Sequence, residues 1–200
     1  HPSFYLLQIK PLVASEEDNH VDADAISREQ ALLFSERSMG HGKLDHIRDV
    51  IFTDIDKFNN NYTLEMAREI EQLNQKMVEQ NKPYVLIGPG RWGTRDKFIG
   101  IPVVWSQISN AKVIVEVGLE EYPLDASLGS HFFHNLTSMN VGYFSIANQT
   151  GKNKIDWEKL KNQKLIEETR FFKHVEFNNP LTIIMDGKKM NAAILDKNSS

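Results

Sequence analysis

The sequence predicts an α+β domain, a mixed and mainly antiparallel sheet with a few packed helices. Three observations predict it. Short runs of β-branched and aromatic residues recur along the chain, broken by Gly, Pro, Asn and Asp. One longer run carries apolar residues at three- and four-residue spacing, which marks an amphipathic helix. Strands outnumber helices and do not alternate regularly with them, as they would in a doubly wound parallel fold.

In chain order, residues 4–9 form a short strand stopped by Lys10-Pro11. Residues 15–24 are acidic and have nothing to bury, so they form a linker and mark a boundary. Residues 31–36 are a strand, followed by a glycine turn at Met39-Gly40-His41-Gly42, and residues 49–53 are a further strand. Thr63 opens the clearest helix, with Leu64, Ala67, Ile70, Leu73 and Met77 on one face and Asn81-Lys82-Pro83 as its stop. Residues 84–87 are a short apolar strand, 112–117 a second buried one, 127–139 a helix and 141–147 another strand. Residues 171–177, 181–185 and 190–195 close the series as three strands, with Asp186-Gly187 offering a tight hairpin between the last two. No internal repeat is present. The expected organisation is a first segment over 1–13, a linker over 14–25, one α+β domain over 26–195 and a polar tail over 196–200.

Composition narrows the function. The 200 residues are 40% hydrophobic and 25% charged, as in ordinary globular proteins. The formal net charge of −4 argues against a broad nucleic-acid surface, while leaving room for a local basic pocket. With no cysteine, there are no disulfides, thiolate zinc sites or cysteine nucleophiles, which fits a reducing, cytoplasmic setting. No apolar run approaches the roughly 20 residues of a membrane helix. The first residues carry neither an initiator Met nor a signal-peptide pattern and read as the middle of a strand, so the natural boundary is expected upstream.

The chemistry is concentrated in Gly88-Pro89-Gly90-Arg91-Trp92-Gly93-Thr94-Arg95-Asp96. A strand delivers this loop, and three glycines let its backbone adopt positive φ and approach a ligand. Successive amides in such a turn can form a nest for an anion, with Gly90 and Gly93 as donors. Arg91 and Arg95 add guanidinium forks that match phosphate or carboxylate oxygens. Asp96 is placed to hold an arginine or to contact a metal bound to the anion. The loop is neither a Walker loop, lacking Gly-Lys-Ser/Thr, nor a dinucleotide fingerprint, because Pro89, Trp92 and Pro102 do not suit that turn and helix. A tight structural turn whose arginines pair with local carboxylates such as Asp96 stands beside the anion-binding reading.

Other signals are weaker. His131 and His134 lie three residues apart on the expected helix, where they would share a metal or a phosphate, but no third ligand is identifiable and ordinary partly buried histidines explain them better. His131 is also a candidate phosphoryl acceptor. No metal site is assigned. Met39-Gly40-His41-Gly42-Lys43 offers a second turn able to approach a phosphate, although such turns are commonplace. The pairs Asp45/Asp49 and Glu167/Glu168 read as solvated charge. Trp92 and Trp105 flank the glycine loop as pocket walls or as core.

Residues 87–96, with Gly100-Ile101-Pro102-Val103, Trp105-Ser106-Gln107-Ile108 and Gly129-Ser130-His131-Phe132-Phe133, resemble the C-terminal region of bacterial pyruvate phosphate dikinase or phosphoenolpyruvate synthase-like (PEP/pyruvate-binding) proteins. The opening Tyr5-Leu6-Leu7-Gln8-Ile9-Lys10-Pro11 resembles the closing strand of the ATP-grasp domain in that superfamily, where the pattern is Leu-Gln-x-Arg. The resemblance implies that residues 1–13 are the remnant of such a domain, otherwise missing upstream. It implies ATP and Mg2+ as cofactors of the full-length parent, with Gln8 at that site and Lys10 in the arginine's place, charged but without its fork. The chain is then expected to be an accessory domain of an ATP-dependent phosphotransferase, inactive alone. Its ligand would be a small anion (phosphate, PEP or a nucleotide) at Gly88, Gly90, Arg91, Gly93, Thr94, Arg95 and Asp96. The alternative is a structural or interaction module packing on the ATP-grasp domain without its own ligand.

Overall fold

The computed structural model describes residues 26, 29–94, 96, 98–118, 140–147, 151 and 153–197. They form a ten-stranded sheet with a two-stranded satellite and a few helices packed on it, a mixed and mainly antiparallel α+β architecture as the sequence predicts. The strands are β1 (Ala31–Ser35), β2 (Arg37–Met39), β3 (Gly42–Thr53), β4 (Tyr84–Pro89), β5 (Arg91–Trp92) and β6 (Gly100–Ile101). They continue with β7 (Ala111–Val117), β8 (Gly142–Ile146), β9 (Lys154–Ile155), β10 (Lys164–Glu168), β11 (Phe172–Asp186) and β12 (Asn191–Leu195). Helix α1 spans Thr63–Glu79 and α2 spans Trp157–Lys161.

The strand order is β2-β8-β7-β4-β3-β11-β12-β1-β9, with β10 on the far side of β11, and β5 pairs with β6. The four neighbours β3, β4, β7 and β8 run parallel; all other pairings within the large sheet are antiparallel. Only Glu36 separates β1 from β2, yet the two lie at opposite ends of that order. Residues 31–39 are thus one kinked stretch whose first half pairs with β12 and whose second half pairs with β8. The sheet closes on itself as a barrel. Side-chain and backbone bonds fasten the seam: Ser35 Oγ donates to the Ser145 carbonyl at 2.9 Å, and Ser38 N donates to the Met190 carbonyl at 2.7 Å.

Side-chain alternation sorts the core into two layers. Val85 and Ile87 of β4, Val113, Val115 and Val117 of β7, and Phe144 and Ile146 of β8 fill one cluster, joined by residues of β1, β3, β11 and β12. Their neighbours Tyr84, Leu86, Ile114 and Tyr143 point the other way and pack under α1. Strands covered on both faces read as unbroken apolar runs, which is why residues 84–87 and 112–117 were legible as strands. Helix α1 buries Met66, Ala67, Ile70, Leu73 and Met77; Leu64, expected on that face, is 58% exposed, and Met66 takes its place. Asn74 is buried among them and fully engaged. Its Oδ1 accepts from Tyr84 Oη and from Asn110 N, both at 3.0 Å, and its Nδ2 donates to Ser106 O and Ser109 Oγ.

Three strand expectations change. Strand β3 starts at Gly42 rather than 49, because Lys43, Asp45 and His46 face outward while Ile47 faces the core. Residues 171–177 and 181–185 are one strand: β11 carries a register irregularity between Glu176 and Leu181, where Pro180 lacks an N–H for the ladder and Arg48 Nε donates to Phe177 O at 2.9 Å. The expected hairpin between the last two strands is present, with its four-residue turn at 187–190, one residue later than the sequence places it. Asp186 Oδ1 accepts from the amides of Lys188 and Lys189, and Met190 takes a φ of 56°. The expected helix over 127–139, the strand over 4–9 and the linker over 14–25 lie outside the described residues.

Candidate functional site

The Gly88–Asp96 loop stands at the carboxyl end of β4, in the middle of the four parallel strands. Gly90 and Gly93 do take positive φ, 66° and 74°. The close approach they permit is to the protein's own backbone. A Cβ on Gly90 would lie 2.5 Å from the Ile99 carbonyl oxygen, and one on Gly100 would lie 2.0 Å from that of Arg91.

The amides follow the same logic. Gly90 N donates to Val117 O at 2.9 Å, Arg91 N to Ile99 O at 3.0 Å and Gly93 N to Ile101 O at 3.0 Å. Trp92 N donates to Glu116 Oε1 at 2.9 Å. The amides of Gly90 and Gly93, expected as donors to an anion, thus have partners within the protein, and all four successive N–H groups are bonded in the β5–β6 pairing and on β7. Trp92 is core rather than pocket wall, 2% exposed, with its Nε1 donating to Val115 O at 3.3 Å and its ring stacked on Phe172. Gly88 lies under that indole, where a Cβ would come within 2.4 Å of the ring.

Glu116, which sequence reasoning missed, organises the loop. It is 2% exposed, and besides Trp92 N it accepts from Tyr143 Oη at 2.6 Å. Burial pushes its carboxyl up to about 7, although the bonds from Tyr143 and Trp92 and the nearby Arg91 charge pull the other way. Burial and the Glu116 carboxyl together push the Tyr143 phenol up. The signal was present: an acid at the penultimate position of Val113-Ile114-Val115-Glu116-Val117, in a strand with no polar face.

Beyond Gly93 the loop is a local turn. Thr94 Oγ1 accepts from Asp96 N at 3.1 Å, and Asp96 Oδ1 accepts from Phe98 N at 2.9 Å. Arg91 is half-buried and electrostatically engaged with Glu116. Gln8, Lys10, Arg95, His131 and His134 lie outside the described residues. Among the described residues no three His, Cys, Asp or Glu side chains gather as metal ligands. Asp49 is not solvated charge: it is 4% exposed, and its Oδ1 lies 2.7 Å from His174 Nε2. Glu167 and Glu168 form ion pairs with Lys76 and Lys57.

No family model, no curated protein and no solved structure matches the chain. Among the described residues no helix is long and apolar enough to cross a membrane.

Proposed function

We propose that the chain is a structural or interaction module that packs against an ATP-grasp domain in a cytoplasmic ATP-dependent phosphotransferase, without a ligand of its own at the Gly–Arg loop. The observation that carries this reading is the run of four loop amides, all bonded within the protein. An anion could claim them only by breaking those bonds and stranding buried acceptors. The corner leads instead into the segment around β6. There Phe98, Ile99 and Val104 are 54%, 41% and 62% exposed, and apolar side chains gathered on one surface segment mark contact sites. ATP and Mg2+ would be held by the neighbouring domain, as the sequence resemblance implies.

Hydrogen exchange tests the contact. Mixing the chain with the ATP-grasp portion of its parent should protect the amides of residues 98–104, and a Phe98→Ser, Val104→Ser variant should lose that protection. Unchanged exchange in the wild-type mixture would overturn the reading.

The anion-binding reading keeps two supporting observations. The loop occupies the carboxyl end of a parallel strand, where open α/β sheets take ligands, and neighbouring Thr53 has a buried Oγ1 without a partner. Calorimetry with inorganic phosphate and with PEP separates the two. Heat that disappears in Arg91→Ala would restore the anion site; the packing module predicts none that depends on Arg91.

A further inference from the structure

The opposite end of the parallel strands carries a different glycine corner. Gly40 and His41 alone connect β2 to β3, beside the amino end of β8. Gly40, at a φ of 121°, packs against Met185, whose Sδ would be 2.8 Å from an added Cβ. Gly42, at 119°, has nothing within 4 Å of that position, so this corner faces open space.

That space is a cleft of about 290 Å³. Its walls are the apolar side chains of Met39, Leu44, Val141 and Met185, and its polar lining includes His41, Lys43 and Asn140. Among the described residues no acidic residue lines it. The acid paired with Lys43 is Asp45, at 3.9 Å between two side chains that are both more than half exposed, a geometry worth little. Gly187 N donates to His41 Nδ1 at 3.3 Å, which makes Nδ1 the acceptor of the neutral ring and leaves Nε2 as an N–H donor. Tyr143 also lines the cleft, but its hydroxyl is committed to Glu116.

We propose that this cleft binds a small organic carboxylate. The apolar stem lies against Met39, Leu44, Val141 and Met185, and the carboxylate meets Lys43 Nζ and His41 Nε2. The volume sits at the small end of ligand clefts, roughly 300 to 1,000 Å³, which favours a compact acid over a nucleotide. Lys43, with no competing acid among the described lining residues, selects for negative charge, and the apolar side chains select against a bare inorganic ion.

Methionine-methyl NMR on the full chain tests this with benzoate as probe. Benzamide is its neutral analogue, and inorganic phosphate is an anion without a stem. Benzoate should shift the Met39 and Met185 methyls saturably while leaving Met66 and Met77, on the buried face of α1, unmoved. Benzamide and phosphate should bind at least about tenfold more weakly, the worth of one charge-assisted contact. The variant His41→Ala, Lys43→Ala should lose binding by about tenfold or more. Lys43→Gln alone, at an exposed position, serves as the milder check on folding. Arg91→Ala should change nothing, which separates this site from the loop. No saturable shift at about 10 mM benzoate, benzamide or phosphate binding as tightly as benzoate, or full binding in the double variant would each overturn the proposal.

Discussion

The two glycine corners of the barrel use the same residue type for opposite ends. At the carboxyl end, Gly90 and Gly100 let the chain press against itself, so closely that a single methyl would meet backbone at 2.5 and 2.0 Å. At the amino end, Gly42 has an equally unusual φ and an open volume in front of it. The more ligand-like sequence is at the closed corner, and the commonplace one is at the open corner. Glycine spacing reports that a backbone must come near something; it does not report whether that something is a guest or the protein itself.

The sharpest way to break this contrast is to add one methyl at each corner. Gly100→Ala forces a Cβ into the Arg91 backbone, which has no flexible end to move aside, and should cost about 3 kcal/mol or more. Gly42→Ala meets no atoms and carries only the strain of its φ, about 1–2 kcal/mol. Urea denaturation of both variants measures the difference. Equal losses would mean that the closed corner can relax and is less tightly built than its contacts indicate.

A smaller effect follows from the acid that closes the first corner. Glu116 is pushed up from 4.5 to about 7, so the folded protein holds this proton at pH values where the unfolded chain has released it. The resulting stabilisation is fully present below about 4.5 and is lost as pH rises through about 7. It should amount to about 3 kcal/mol. Glu176 does the reverse: hydrogen bonds from Lys164 and Lys82 hold it down to about 2, so its contribution is present above 4.5 and is lost as pH falls toward 2. Denaturation midpoints between these limits should show both slopes, and Glu116→Gln should flatten only the upper one. An unchanged upper slope in that variant would assign it to another group.

The smallest change sharpens the picture of the closed end. Thr53 Oγ1 is buried there with no hydrogen-bond partner, so Thr53→Val should leave stability unchanged or raise it by up to about 1 kcal/mol. A clear loss in thermal melting would show that the hydroxyl has a partner in solution.

Much of the sheet was legible in the sequence because β4 and β7 are covered on both faces and carry apolar runs, over 84–87 and 113–115, with no alternating polar face. The limits of α1 were legible too, since Asn81 takes a φ of 51° just past its end and Pro83 blocks continuation. Strand β10 was not: Lys164, Glu167 and Glu168 give it no apolar periodicity, and among the described strands it pairs with β11. The first half of β3 was hidden for a similar reason, with Leu44 and Ile47 its only apolar anchors among charged neighbours. Barrel closure joins segments more than a hundred residues apart, which no local pattern encodes. At the candidate site, the turn at Gly88–Gly93 was visible, but the partners of its amides come from Glu116, Val117, Ile99 and Ile101. Those residues show no sign in sequence of where their acceptors point.

The seam of the barrel has one further consequence. Ala31 and Leu195 are cross-strand partners, so the first and last of the described strands lie side by side, about 5 Å apart by ordinary strand geometry. A module with so narrow a footprint can be spliced into a surface loop of a host protein without prying the host's flanking residues apart. The same neighbourliness makes it a ready subject for circular permutation through a short bridge from residue 195 to residue 31.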